Sequence, residues 1–428
     1  MRLLVFLKDY PPNPSPNGHL AQMLLSELKQ QHPDIGIDVI TARIDINLKA
    51  KDIEPTGINI LRIPTKYEQY SELSKQNNLE KNIFKKLIVK IYLRFTRSYV
   101  DKHYQDKYRH LPIRAAFLKA KKMHKENPYD VVLSVSHQFE AHFPALSFKK
   151  TFPSTRWIAY MMDPYADHAS QTTRRKAIKR EHKVFRNADC ILTTEPMVTK
   201  AVYSPLPDYI KKIYTAYGNS LYDRTNTNID NFDSKIINVV FSGQCPPTRN
   251  PEYLFKMWKY MPENLVLHIY AGGDSQIIQK AKELASETPN MIFHGYVPYD
   301  DLEKAHMEAD IFANVGWFVN TMIPSKIFDY MSFGKPIFNL YTIDEDTTKP
   351  FLDMYPCGLS LKTDKNAIRE NARLVADFCM KNRFTRIPYN EVSDSMGEFN
   401  LESVTDRFYR MMTNSLNTEQ IQHFDCFS

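Results

Sequence analysis

Short apolar runs alternate with amphipathic stretches along most of the chain. RLLVFL, DIGIDVITA, YDVVLSVS, RWIAYMMD and DCILTTE are brief and mostly apolar, and each ends in polar or turn residues. Runs without a polar side predict strands buried on both faces, as in a parallel sheet covered by helices. LAQMLLSELKQQ, between the first two, has the spacing of a helix with one apolar face. The rhythm restarts near residue 235. KIINVVFSG leads into RNPEYLFKMWKYM, LVLHIYAGG into SQIIQKAKELASE, and MIFHGYV into DDLEKAHMEA, after which DIFANVG and KPIFNLYT flank NTMIPSKIFDYMSFG. Between the halves, YGNSLYDRTNTNIDNFDSK is rich in Asn, Asp and Ser and nearly free of periodicity, the signature of a linker.

The pattern predicts an α/β protein of two doubly wound, Rossmann-like domains facing a cleft. The first covers residues 1–219 and the second 235–397, with the boundary at 220–234. In such sheets ligands sit beyond the carboxyl ends of the strands, so chemistry is sought in the loops after each apolar run.

Composition adds bounds. With 428 residues, 43% hydrophobic and 25% charged, the chain can bury sizeable cores. Five cysteines without a close pair fit a reducing compartment and give no metal-ligand spacing. The N-terminal apolar run is too short for a signal-peptide core, and no window approaches the ~18 apolar residues of a spanning helix. A cytoplasmic protein is expected.

Charge is uneven. Residues 81–122 hold 13 Lys/Arg against Asp101 and Asp106, a local +11 in a chain whose total is +7. Within them KNIFKKLIVKIYLRFTRSYV is amphipathic at helical spacing. Phe84, Ile88, Ile91 and Phe95 line a side expected to pack on the protein. Lys86, Lys90, Arg94 and Arg97 line a basic side, suited to an anionic membrane surface or a polyanionic substrate. No nucleic-acid motif or stacking platform accompanies the charges, so a nucleic-acid partner is not expected.

The loops carry the candidate chemistry. In NTMIPSKIFDYMSFGKPIF, Pro324 suits a first helical turn and Thr321 or Asn320 can cap it. About ten helical residues should follow, stopping at Gly334. Ser325 and Lys326 at the helix start suit an anion, and Asp329, one turn on, can accept hydrogen bonds from a vicinal diol such as a ribose. In FSGQCPPTRNPEYLF, Arg249 stands at a strand-to-helix turn, where its planar fork can grip a diphosphate. Gly272 and Gly273 end another strand, and Gly18 precedes the first helix; both allow close backbone approach. No G-x-G-x-x-G is present. In the first half, AYMMDPYADH carries Asp163, Asp167 and His168, and SHQFEAHFP carries His137, Glu140 and His142. These are acid or base candidates.

The order of the second-half motifs resembles the nucleotide-sugar glycosyltransferases of the two-Rossmann (GT-B) type, in particular the large retaining family, family four, that includes sucrose synthases and bacterial mannosyltransferases. The resemblance is strongest over residues 239–337. FSGQCPPTRNPEYL looks like the family's phosphate loop, LVLHIYAGGD its glycine turn, MIFHGYVPYDDLEKAHMEADIFANV the region framing the base, and IPSKIFDYMSFGKPI the donor helix. RNADCILTTE resembles a first-domain strand, and FNLESVTDRFYRMM the C-terminal helix (residues 398–416) that crosses back onto the first domain.

The resemblance implies that Arg249 and Lys326 hold the donor diphosphate, with Ser242, Gly243, Gln244, Gly273, Ile323, Pro324 and Ser325 around it. Asp329 would bind the ribose, the Tyr296 neighbourhood would face the base, Gly18 would approach the donor, and Asp163 would lie near the sugar. His137, His142 and Asp167 remain acid/base or acceptor candidates. The family often has two glutamates eight positions apart; here Thr321 and Asp329 fill those places. Gln244 stands where the family usually has Arg, which leaves Arg249 more of the phosphate charge. The implied activity is sugar transfer from a nucleotide-diphosphate sugar, a UDP-sugar foremost, to a glycan or lipid-linked glycan in polysaccharide assembly. No metal or resident cofactor is expected, and the place of work is the inner membrane face. A nucleotide-sugar epimerase and a non-catalytic nucleotide-sugar-binding partner of another transferase are the alternatives.

Overall fold

The computed structural model describes residues 1–11, 15–43, 57–65, 72–74, 82–102, 111–136, 139–162, 165–166, 171–193, 213–216, 218, 220–230, 235–320 and 323–414. Asp163, Asp167, His168, His137 and Thr321 lie outside them. The chain forms two compact units, one of residues 1–194, 201–215 and 405–422, the other of 195–200, 216–404 and 423–428.

The first unit holds a seven-stranded sheet in the order β3-β2-β1-β4-β5-β6-β7, with every pairing parallel. Its strands are β1 (Arg2–Phe6), β2 (Gly36–Arg43), β3 (Ile58–Pro64), β4 (Val131–Val135), β5 (Arg156–Tyr160), β6 (Cys190–Thr193) and β7 (Ile213–Thr215). Helices α1 (Pro16–Gln31), α2 (Ile83–Lys102), α3 (Ile113–Glu126), α4 (His142–Thr151) and α5 (Gln171–Asn187) lie between strands in the sequence. β1 and β4 at the middle are buried along almost their whole length, as their continuous apolar sequences require. β3 was not marked by the apolar pattern. It is an edge strand, mostly half-buried, and needs little apolar sequence.

The second unit holds a six-stranded sheet, β10-β9-β8-β11-β12-β13, again all parallel. Its strands are β8 (Ile237–Cys245), β9 (Leu265–Gly273), β10 (Met291–Phe293), β11 (Ile311–Val315), β12 (Ile337–Tyr341) and β13 (Gly358–Lys362). Helices α6 (Glu252–Trp258), α7 (Ser275–Ser286), α8 (Tyr299–Glu308), α9 (Lys326–Met331), α10 (Lys349–Met354), α11 (Ile368–Asn382) and α12 (Tyr389–Met396) connect them or follow. One core packs Phe241, Leu254, Trp258, Leu267 and Val375 together. Another packs Phe312, Phe328, Tyr330 and Phe351. Both faces of the sheet are thereby covered, as expected of parallel strands.

Three expectations change. The helix after Ser325 is six residues long, not about ten; its N-cap is Ser325, which makes no side-chain cap bond, rather than Thr321 or Asn320. It ends at Met331 with Ser332 as its C-cap, short of the expected Gly334; turns lead on to Gly334, which takes φ 63°, a left-handed conformation that glycine adopts without a Cβ clash. The expected linker is not a free connector, since its described residues 220–230 dock on the second unit. Arg224 N–H donates to Ser332 O at 3.0 Å and Ile229 N–H to Met307 O at 2.9 Å, and the Leu221 side chain is buried. The face of α2 carrying Phe84, Ile88 and Ile91 does not pack on the protein; all three are exposed.

The last helix, α13 (Leu401–Thr413), buries Leu401, Val404, Phe408, Met411 and Met412, the spacing of one helical face. It begins in the second unit, and its residues from Thr405 on belong to the first, where Tyr409 stacks on His32 at 3.6 Å. No helix among the described residues is long and apolar enough to cross a membrane.

Candidate active site

The loops at the carboxyl ends of β8, β11 and β12 and the start of α9 carry two polar networks, one around Asp329 and one around Arg249. Asp329 on α9 is the hub of the first. Its Oδ1 accepts from Arg224 Nη1 at 2.9 Å and its Oδ2 from Lys326 Nζ at 3.2 Å. Burial alone would favour the protonated acid, but Lys326 and Arg224 outweigh it and hold the carboxyl well below the usual carboxylate range. Arg224 comes from the segment read as linker. Its guanidinium lies 4.4 Å from the Tyr222 ring centroid and 5.2 Å from that of Phe333, and the residue is 3% exposed. Burial disfavours its charge, and the neighbouring Asp329 more than offsets that.

Behind Asp329 the network runs to β8. His306 Nδ1 is 3.9 Å from Asp329 Oδ2, too far for a hydrogen bond. Its Nε2 is 3.0 Å from Ser242 Oγ. Burial pushes the His306 pKa down to about 3, so the ring is neutral and its approach to Asp329 is not an ion pair. Ser242 Oγ also meets Tyr330 OH at 2.9 Å, and Ser242 N–H donates to the same phenol at 2.9 Å. The Ser242 side chain, an expected donor ligand, is fully buried and already engaged within the protein.

Arg249 is held in place by a second polar chain. Its Nε donates to Val315 O and its Nη2 to Asn314 Oδ1, both at 2.9 Å. Asn314 Nδ2 donates to Asn339 Oδ1 at 2.8 Å, and Asn339 Nδ2 to Asp346 Oδ1 at 3.3 Å. Asn314 and Asn339 are register partners on β11 and β12. This chain fixes the guanidinium plane and leaves Nη1 as its free edge among the described residues. A Cβ at Gly243 would lie 3.0 Å from that Nη1.

The remaining candidates are distributed around this frame. Ser325 is half-buried; its carbonyl accepts from Ser220 Oγ at 3.1 Å. Pro324 is buried and Ile323 half-buried. Tyr296 is 73% exposed, and its ring would lie 3.8 Å from a Cβ at Gly272, with Gln244 at 3.5 Å. Gln244, Gly272 and Tyr296 thus meet at one open position. Gly273 takes φ 133°, and a Cβ there would come within 2.6 Å of Cys245 O. Gly18 would press a Cβ onto Asp9 O. The close approach at both glycines is therefore to the protein's own backbone. A hollow of about 320 Å³ between the starts of α6 and α7 is lined by Glu252, Asp274 and Lys280 among others. Two carboxylates against one ammonium give it the wrong sign for a diphosphate.

In the first unit, His142 is fully buried, and its Nδ1 lies 2.7 Å from Ser134 Oγ. That oxygen accepts from Trp157 Nε1 at 2.8 Å. Burial pushes the His142 pKa down to about 3. The expectation that His142 offers a proton is corrected: the ring is neutral and sits in the core. Glu140 is half-buried, 3.6 Å from Arg180.

Sequence pattern did not single out Arg224, His306, Tyr330, Asn314, Asn339 or Asp346. Two of them left a trace, since an Asn inside each of the buried runs IFANV and IFNLY is costly unless paired.

Two parallel, Rossmann-like sheets with these connections match the two-domain GT-B fold. Solved structures of that class superpose on nearly the whole chain. Sucrose-phosphate synthase from Thermosynechococcus elongatus is 14% identical, covering 97% of this chain and 99% of that one with a TM-score of 0.59. HepE from Anabaena, in complex with UDP and glucose, is 12% identical over 97% and 100%, with a TM-score of 0.63. The catalytic domain of starch synthase IV from Arabidopsis thaliana, bound to ADP and acarbose, is 10% identical over 97% and 99%, with a TM-score of 0.60. No family model matches the sequence, and no curated protein matches it. At these identities the likeness is one of fold.

Proposed function

We propose that the protein is a glycosyltransferase that moves a sugar from a nucleotide-diphosphate sugar to a glycan or lipid-linked glycan acceptor in polysaccharide assembly. The observation that carries the reading is the pair of networks at the strand ends. Lys326 and Arg224 both pair with Asp329, and the separately anchored Arg249 turns its Nη1 toward Gly243 at the end of β8. Three cations against one carboxylate suit a diphosphate. Asp329 keeps free lone pairs on both oxygens, which suits a ribose diol, and Tyr296 over Gly272 gives a base a surface to lie on. UDP is the favoured nucleotide, a choice supported by the UDP and UDP-glucose complexes of HepE.

In this reading the bond from the sugar C1 to the β-phosphate oxygen breaks and the acceptor oxygen bonds to C1. The acceptor's proton passes to a phosphate oxygen or a nearby base. Negative charge grows on the departing diphosphate, and Lys326 and the Nη1 edge of Arg249 are aimed to stabilise it. These cations do what a divalent ion would otherwise do, so chelators should leave turnover unchanged. The retaining course follows from the family resemblance, and Asp163 is kept as the residue near the sugar. The enzyme would work at the inner membrane face, where lipid-linked acceptors are presented. An epimerase would need acid and base groups at the sugar; the buried, neutral His142 removes one of the two histidines that reading relied on.

The test is nucleotide release. Purified protein with UDP-sugars should release UDP only when a lipid extract supplies an acceptor, with loss in Lys326→Met. Release without any acceptor, accompanied by a changed sugar epimer, would indicate epimerisation. Binding without release under any acceptor would indicate a non-catalytic partner.

A further inference from the structure

Helix α2 has its apolar side turned away from the protein. Phe84 is 81% exposed, Ile88 67%, Leu87 54% and Ile91 48%. At 100° per residue these four fall within about 100° of one another, so they form a continuous stripe rather than scattered surface residues. Val89 and Leu93, on the opposite side of the helix, are half-buried, which marks the side that meets the protein. Lys85 borders the stripe on one flank and Lys90 and Arg94 on the other, all exposed. Among the described residues no carboxylate pairs with Lys85, Lys86, Lys90 or Arg94.

A globular protein seldom leaves such a stripe bare without a use for it. We infer that the outward face of α2 is a docking surface for an anionic lipid bilayer, with Phe84, Leu87, Ile88 and Ile91 entering the headgroup–acyl boundary and Lys85, Lys90 and Arg94 reaching the lipid phosphates. The charge pattern selects this occupant. Apolar side chains flanked by long cationic stems match a surface that is oily beneath and negative above. A second copy of the chain would set these cations against their own kind. A nucleic-acid backbone would meet the cations but leave the apolar stripe in water. The inference deepens the membrane-surface part of the function proposed above. Its test contains no nucleotide, so its failure leaves the donor-site reading untouched.

The experiment is co-sedimentation of the full chain with vesicles of phosphatidylcholine alone and of phosphatidylcholine with 30% phosphatidylglycerol. The second should bind at least tenfold more tightly, and high salt should weaken that binding. Phe84→Ser with Ile88→Ser, and separately Lys85→Glu with Lys90→Glu and Arg94→Glu, should each lower binding at least tenfold. Both variants should keep the wild-type melting temperature and UDP affinity, because these side chains are exposed. Equal binding to both vesicles, or unchanged binding by the double serine variant, overturns the proposal. Self-association that the serine variant abolishes, without vesicle binding, would give the face to a second copy and also overturn it.

Discussion

Arg224 Nη1 and Asp329 Oδ1 lie 2.9 Å apart, joining a segment that looks like a linker to the helix that carries the proposed ribose ligand. The ion pair orients the carboxylate from behind, and Lys326 approaches its other oxygen. Deleting one partner of a buried pair costs about 3–5 kcal/mol, because the other is left unpaired. Arg224→Ala should therefore lower stability by about 3 kcal/mol. The Arg224→Ala/Asp329→Ala double variant should be more stable than the sum of the singles by about 1–3 kcal/mol. Denaturant unfolding of the four proteins measures this directly, and additive losses would remove Arg224 as the partner that sets Asp329.

The chain Arg249–Asn314–Asn339–Asp346 leads to a different expectation. Asn339→Ala touches no proposed ligand position, yet it releases the Asn314 amide that holds the Arg249 fork. The site should lose donor affinity several-fold, and the unsatisfied amide should cost about 1–3 kcal/mol in stability. Donor titration of Asn339→Ala beside Arg249→Ala checks it. Asn339→Ala should fall between wild type and Arg249→Ala in affinity.

Two buried histidines fix the sign of a pH effect. His142 and His306 have pKa values near 3 in the folded protein, against about 6.5 when unfolded. Between those values the unfolded chain binds protons that the folded one refuses, so stability falls as pH drops from about 6.5 towards 3. Asp329 adds the same sign at the acid end, because its depressed pKa keeps it charged when folded. Each histidine should remove about 2–3 kcal/mol by pH 4.5. His142→Asn should melt with a shallower fall between pH 7 and 5 than wild type does.

The fold was legible because its central strands are buried on both faces. RLLVF and VVLSV could be read as core without knowing their neighbours. Edge strands such as INILRIP were not, since a half-buried edge leaves no apolar run. At the site, Ser325, Lys326 and Asp329 were legible because a short stretch of chain places them around one helix start. Arg224 was not, because its partner lies in a distant part of the sequence and only the docking of residues 220–230 brings them together. Ser242 was assigned to a ligand by motif, but burial against His306 and Tyr330 gives its hydroxyl to the protein. The amphipathic pattern of α2 was correct as a pattern, yet periodicity alone does not say which side of a helix faces the protein.

The central claim is that Lys326 and its neighbours form a nucleotide-diphosphate site. Calorimetric titration of UDP into wild type and Lys326→Met tests it most directly, since Lys326 is partly exposed and its loss should leave the fold intact. Wild type should bind UDP more tightly than UMP, GDP or ADP. Lys326→Met should bind UDP at least tenfold more weakly, about 1.4 kcal/mol, with its UMP affinity nearly unchanged. UDP affinity untouched by the substitution, or no nucleotide binding by the wild type, would contradict the account.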